Sequence, residues 1–130
     1  MEKWEEYFKG IIPKATYETS ISFGEKNGLI LKLLNKNDVI TIEFGSVISF
    51  RVLDEGYVQT DIYSLTEVEK YKRDKFANVI YKVNGGKYAK DVKKIADGYL
   101  DNSDYNHFIV ITQNYNIDII TDFLPEIHLK

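Results

Sequence analysis

Three observations predict an α+β fold, a mostly antiparallel sheet of about seven strands packed with two or three helices. Period-two apolar alternation runs through most of the chain, one segment near residue 90 repeats its apolar residues at helical spacing, and the turns between the first strands agree on one buried face. The length, 130 residues, suits one domain over 1–130, and 44% hydrophobic with 14% aromatic residues can fill its core.

Trp4, Phe8, Ile11 and Ile12 fall at helical spacing until Pro13 stops the pattern, which predicts a short amphipathic helix over residues 2–10. Four strands follow, at 16–23, 29–34, 39–44 and 48–53. The turn at 24–28 pairs Phe23 with Leu29 and Ile21 with Leu31. The turn at 35–38 pairs Leu34 with Val39 and sets Leu33, Leu31 and Leu29 opposite Ile40, Ile42 and Phe44. A turn at 45–47 then sets Phe44, Ile42 and Ile40 opposite Ile48, Phe50 and Val52. All three registers place the apolar residues on one face, as an antiparallel meander requires. Arg51 is thereby directed to the other face, opposite Thr41 and diagonal to Glu43, with Asp54, Glu55 and Gly56 in the turn beyond. That outer face also carries Ile30, Leu34, Val39 and Leu53. It is expected to be covered by another element or a partner, a second copy of the chain included.

Ser64-Leu65-Thr66-Glu67 has the form of a capping box, and the charged run to Lys75 reads as a short helix or an irregular excursion. Residues 78–83 alternate as a strand ending at Asn84-Gly85-Gly86. Tyr88, Ala89, Val92, Ile95, Ala96, Tyr99 and Leu100 then trace the clearest helical stripe, expected to pack on the meander's apolar face. Residues 107–113 and 116–121 are two more strands, joined around Asn114 and Tyr115. Isoleucines on both of their faces predict that they lie inside the sheet or are covered on each side.

The chemical inventory is sparse. The chain has no cysteine, hence no disulfide, thiol nucleophile or thiolate metal site. Its 17 basic residues face 20 acidic ones, and only Arg51 and Arg73 are arginines, an unfavourable composition for nucleic-acid binding. An acidic N-terminus without a signal pattern, and the lack of any apolar run near the ~20 residues of a membrane span, predict a cytoplasmic protein. His107 and His128 do not stand at zinc-site spacing, and Asn84-Gly85-Gly86-Lys87-Tyr88 lacks a phosphate-loop pattern. No metal and no cofactor are expected. Two groups of residues remain. Arg51, Asp54 and Glu55 with Glu43 form a charged edge suited to contacting a partner protein. Asp104, His107 and Asp118 are the alternative, a hydrolase site at the end of the sheet. A carrier enclosing an apolar molecule between sheet and helix is a third reading.

The motif set Phe44, Val47, Phe50, Arg51, Asp54 and Glu55, followed by His107, the Ile117-Asp118-Ile119-Ile120 stretch and Pro125-Glu126-Ile127, resembles a group of small Gram-positive bacterial proteins. Some members of that group resemble the immunity proteins of polymorphic-toxin systems, which bind and block a cognate toxin. The resemblance covers about residues 39 to 127. It departs from the group at Asn84-Gly85-Gly86-Lys87-Tyr88, where Asn-Ser-x-Tyr is usual. It implies a non-catalytic protein whose partner is a toxin or another protein.

Overall fold

The computed structural model describes residues 1–54, 62–96 and 105–130. In chain order the elements are β1 (Lys3–Glu6), β2 (Glu18–Gly24), β3 (Gly28–Leu34), β4 (Val39–Gly45), β5 (Ser49–Asp54), α1 (Leu65–Lys72), β6 (Ile80–Asn84), α2 (Lys87–Ile95), β7 (Asn106–Ile111), β8 (Tyr115–Thr121) and β9 (Glu126–Leu129). The fold is α+β with antiparallel pairing, but the strands form two sheets instead of one. One has the order β1-β6-β7-β8-β5 and the other β2-β3-β4-β9.

The first two turns set the registers that the alternation predicts, with Phe23 opposite Leu29 and Leu34 opposite Val39. Leu29, Leu31, Leu33, Ile40, Ile42 and Phe44 all turn inward and are buried. By burial each contributes roughly 1.5–3 kcal/mol. At the far end a bulge moves Leu29 opposite Gly45 instead of Phe44. A Cβ on Gly28 would lie 2.1 Å from the Gly45 carbonyl oxygen, and both glycines have positive φ, so this crossing requires glycine.

The third register does not form. After Gly45 the chain crosses to the other sheet, where β5 pairs with β8 and Arg51 stands opposite Asp118, not Thr41. The place beside β4 is taken by β9, which sets His128 opposite Thr41. Turn length fixes which way side chains point, and Phe50 does pack on the core between the sheets. It does not fix which strand receives the hydrogen bonds, since either destination satisfies the same inward face.

Residues 3–6 are a strand and not part of a helix. They pair with β6 from Lys3–Asn84 to Glu6–Tyr81, and Phe8 at φ 52° lies outside helical geometry. Trp4 is buried beneath α1, its indole stacked on Tyr71 at 6.2 Å, while the Tyr71 hydroxyl donates to the Trp4 carbonyl. These contacts decide a segment whose local period alone favours a helix. Ser64 does cap α1, its Oγ accepting from Glu67 N at 3.4 Å. The return arm of the box comes from Glu2, whose Oε2 accepts from Ser64 N at 2.9 Å. Glu67 instead accepts from Trp4 N.

The inner faces of the two sheets share one core, which joins Leu31, Ile42 and Phe44 to Ile80, Phe108, Val110, Ile117 and Ile119. Both helices pack on the opposite face of the five-stranded sheet. There α1 meets Trp4, Tyr81 and Ile109, and Ala89 and Val92 of α2 meet Ile120. The α2 stripe thus covers this sheet and not the meander, and Ile95, expected on the buried stripe, is 83% exposed. Tyr99 and Leu100 lie outside the described residues. Covered on both faces, β7 and β8 are buried along nearly their whole length, as their isoleucines predict. No helix among the described residues is long and apolar enough to cross a membrane.

Candidate functional site

Strand pairing brings three titratable side chains into a row on the helix-covered face. Asp118 of β8 lies directly opposite Arg51 of β5, and His107 lies diagonally across on β7, where its own register partner is Ile120. Arg51 Nε donates to Asp118 Oδ2 at 2.8 Å, the Tyr63 hydroxyl donates to the same oxygen at 2.7 Å, and His107 Nε2 is 2.8 Å from Oδ1. A carboxylate only accepts, so Nε2 carries the proton in this contact. Asp118 is 0% exposed and His107 4%.

The two helices close this row from above. Tyr63 precedes the Ser64 cap of α1, and Tyr88 stands in the first turn of α2. The Arg51 guanidinium lies 4.4 Å from the centre of the Tyr88 ring and 5.7 Å from that of Tyr63, within the range of cation–π attraction. Ser49, two residues before Arg51 on the same face, shares a hydrogen bond with the Tyr88 hydroxyl. The cluster therefore ties three strands and both helix entries to one carboxylate.

Burial pushes the Asp118 carboxyl up, but the hydrogen bond and charge of His107, with those of Arg51, more than offset it and hold the group below its ordinary value. For Arg51, burial acts downward and is outweighed by Asp118 and Tyr63, so its net shift is upward. Tyr63 is raised by burial and by the Asp118 charge, and Tyr88 is raised chiefly by burial. The result is an ionised aspartate bonded to Arg51, to His107 and to the neutral Tyr63 phenol, with the neutral Tyr88 ring against the Arg51 guanidinium.

Of the residues expected at a hydrolase site, His107 and Asp118 meet, while Asp104 lies outside the described residues. His107 and Asp118 are both buried. A Cβ built on Gly86 would fall 2.8 Å from His107 Nδ1, so the backbone entering α2 closes the second ring nitrogen. Of the residues expected to contact a partner, Arg51 is turned into the cluster and away from Glu43. Glu43 sits on the four-stranded sheet opposite Glu126. There its carboxylate, that of Glu126 and the His128 ring converge within 4.8 Å, all three exposed, a grouping drawn from two strands that spacing along the chain does not reveal. Asp54 ends β5 and is exposed, and Glu55 lies outside the described residues. The space between sheet and helix that a carrier requires is a cleft beside α1, and Lys72, Lys75 and Asn116 among its walls give it a polar character.

Tyr63 and Tyr88 are the members that sequence reasoning missed. The signal for the rest was Asp118 itself, a lone acid in an apolar strand covered on both sides, which needs partners wherever it is buried. No family model, curated protein or solved structure matches the chain.

Proposed function

We propose that the chain is a non-catalytic, cytoplasmic protein-binding protein that occludes a partner, in the manner of the immunity proteins its motifs resemble. The observation that carries this reading is an apolar seam between the open edges of the two sheets. Phe23 on β2 is 58% exposed and meets Phe50 on β5 edge-on at 4.9 Å, and Val52, two residues further along β5, is 38% exposed. These are the terminal strands of their sheets among the described residues. Apolar side chains beside unpaired backbone favour a partner that buries the first and adds a strand to the second. Asp54 follows Val52 on the same face and brings an acid to the rim. The chain's net charge of −3 suits a basic partner surface. Arg51 supports the same strand from its other face, and Glu43 belongs to a separate surface.

The test is co-expression with the product of the neighbouring gene in the native host. The wild-type chain is expected to restore growth and co-purify with that product. A Phe23→Asp/Val52→Asp variant with an unchanged melting temperature is expected to do neither. Rescue that survives both substitutions removes the seam from the account. If no partner is recovered and the chain sediments as a dimer that the variant dissolves, the occupant is a second copy.

A further inference from the structure

The cleft between α1 and the turn joining β7 to β8 combines a cationic rim, an apolar wall and a buried amide. Its volume is about 520 Å³, within the range that holds a small organic molecule. Val68, Phe76 and Ile111 form the apolar wall. Lys72 ends α1 and Lys75 follows just beyond it, both exposed and neither in an ion pair among the described residues.

Asn116 is the decisive group. It is 2% exposed, lies on β8 two residues from Asp118, lines the cleft, and its Oδ1 has no hydrogen-bond partner among the described residues. Interiors rarely leave a buried amide oxygen open, and a group left so calls for a partner. Lys75 and Phe76 are adjacent non-glycine residues at φ 58° and 55°, in the left-handed region, and their amides are bonded back to Lys72 O and Tyr71 O. Left-handed residues with such back-bonds close the C-terminal end of a helix. Here they fix one lysine and one aromatic wall of the cleft.

We infer that this cleft binds a small organic anion, its carboxylate or phosphate against Lys72 and Lys75, its apolar body on Val68, Phe76 and Ile111, and an O–H or N–H group donating to Asn116. A second opening shares Thr16 and Gln113 with the cleft and continues past Glu18 to Lys36, offering a route of entry. The site lies apart from the β2–β5 seam and does not depend on a protein partner.

The full chain, labelled with ¹⁵N, is titrated with para-hydroxybenzoate and with phenyl phosphate, which separate carboxylate from phosphate, and with the uncharged methyl para-hydroxybenzoate. One of the two anions is expected to shift the Asn116 side-chain amide and the Thr112 and Gln113 backbone amides saturably. The methyl ester is expected to bind about tenfold more weakly, as is the anion to a Lys72→Gln/Lys75→Gln variant of unchanged melting temperature. The inference is overturned if neither anion gives saturable shifts at millimolar concentration, if the ester binds equally well, or if the double variant binds as the wild type does.

Discussion

A carboxylate withdrawn from water among isoleucines is costly unless its lone pairs are met, and Asp118 meets that demand with Arg51, Tyr63 and His107. Each partner comes from a different segment, so the residue is only tolerable in the assembled fold. The acid titration follows from the direction of its shift. Because the folded carboxyl is held below its ordinary 3.8, the unfolded chain binds the proton first as pH falls. The stabilisation is therefore complete above the unfolded value, about 3.9, and is lost as pH drops through the lower folded one. Urea midpoints measured from neutral pH to pH 2 should fall steeply at the acid end for the wild type and less steeply for Asp118→Asn. Parallel slopes would mean that the Asp118 carboxyl binds its proton equally well in the folded and unfolded chain.

The entry to α2 shows how an element is positioned by one missing methyl group. Gly86 has an ordinary extended φ of −74°, so alanine meets no backbone strain there. Its Cβ would nevertheless lie 2.8 Å from His107 Nδ1 and 2.9 Å from Val83 Cγ1. His107 cannot retreat without leaving Asp118. Gly86→Ala should therefore destabilise by about 1–3 kcal/mol. Gly24→Ala, where nothing lies within 4 Å, should be neutral or stabilising by up to about 1 kcal/mol. Chemical denaturation of both variants checks the contrast. Much of the element plan was legible beforehand. The first two hairpin registers and the burial of β7 and β8 follow from turn length and two-faced isoleucines, while the cap chemistry at Ser64 leaves a short helix and an irregular excursion both open, of which the helix forms. The crossing after Gly45 was not, because a hairpin and a change of sheet leave identical alternation. Nor was β1, whose helical spacing is overruled by Trp4 docking under α1, or β9, a four-residue edge that β4 recruits. The candidate site shared that fate. Along the sequence His107 groups with Asp118 but Arg51 stands apart, since only the β5–β8 pairing places Arg51 beside Asp118.

At the scale of the molecule, two sheets share one apolar core while the outer face of the larger sheet, beneath both helices, holds a polar brace. The brace leaves the charges most suggestive of chemistry facing inward. Among the described residues, the surfaces we propose for recognition are the β2–β5 seam and the cleft beside α1. The central claim is that Arg51 and Asp118 act on each other inside the fold, and a double-mutant cycle tests it most directly. Urea unfolding of Arg51→Ala, Asp118→Ala and the double variant should show each single change costing about 2–4 kcal/mol, because each strands a charge or donors in the interior. The double variant should be more stable than the sum of the two predicts, with a coupling of about 1–3 kcal/mol. Additive effects, or an Arg51→Ala protein as stable as the wild type, would contradict the account and return Arg51 to the surface as a residue for a partner to read.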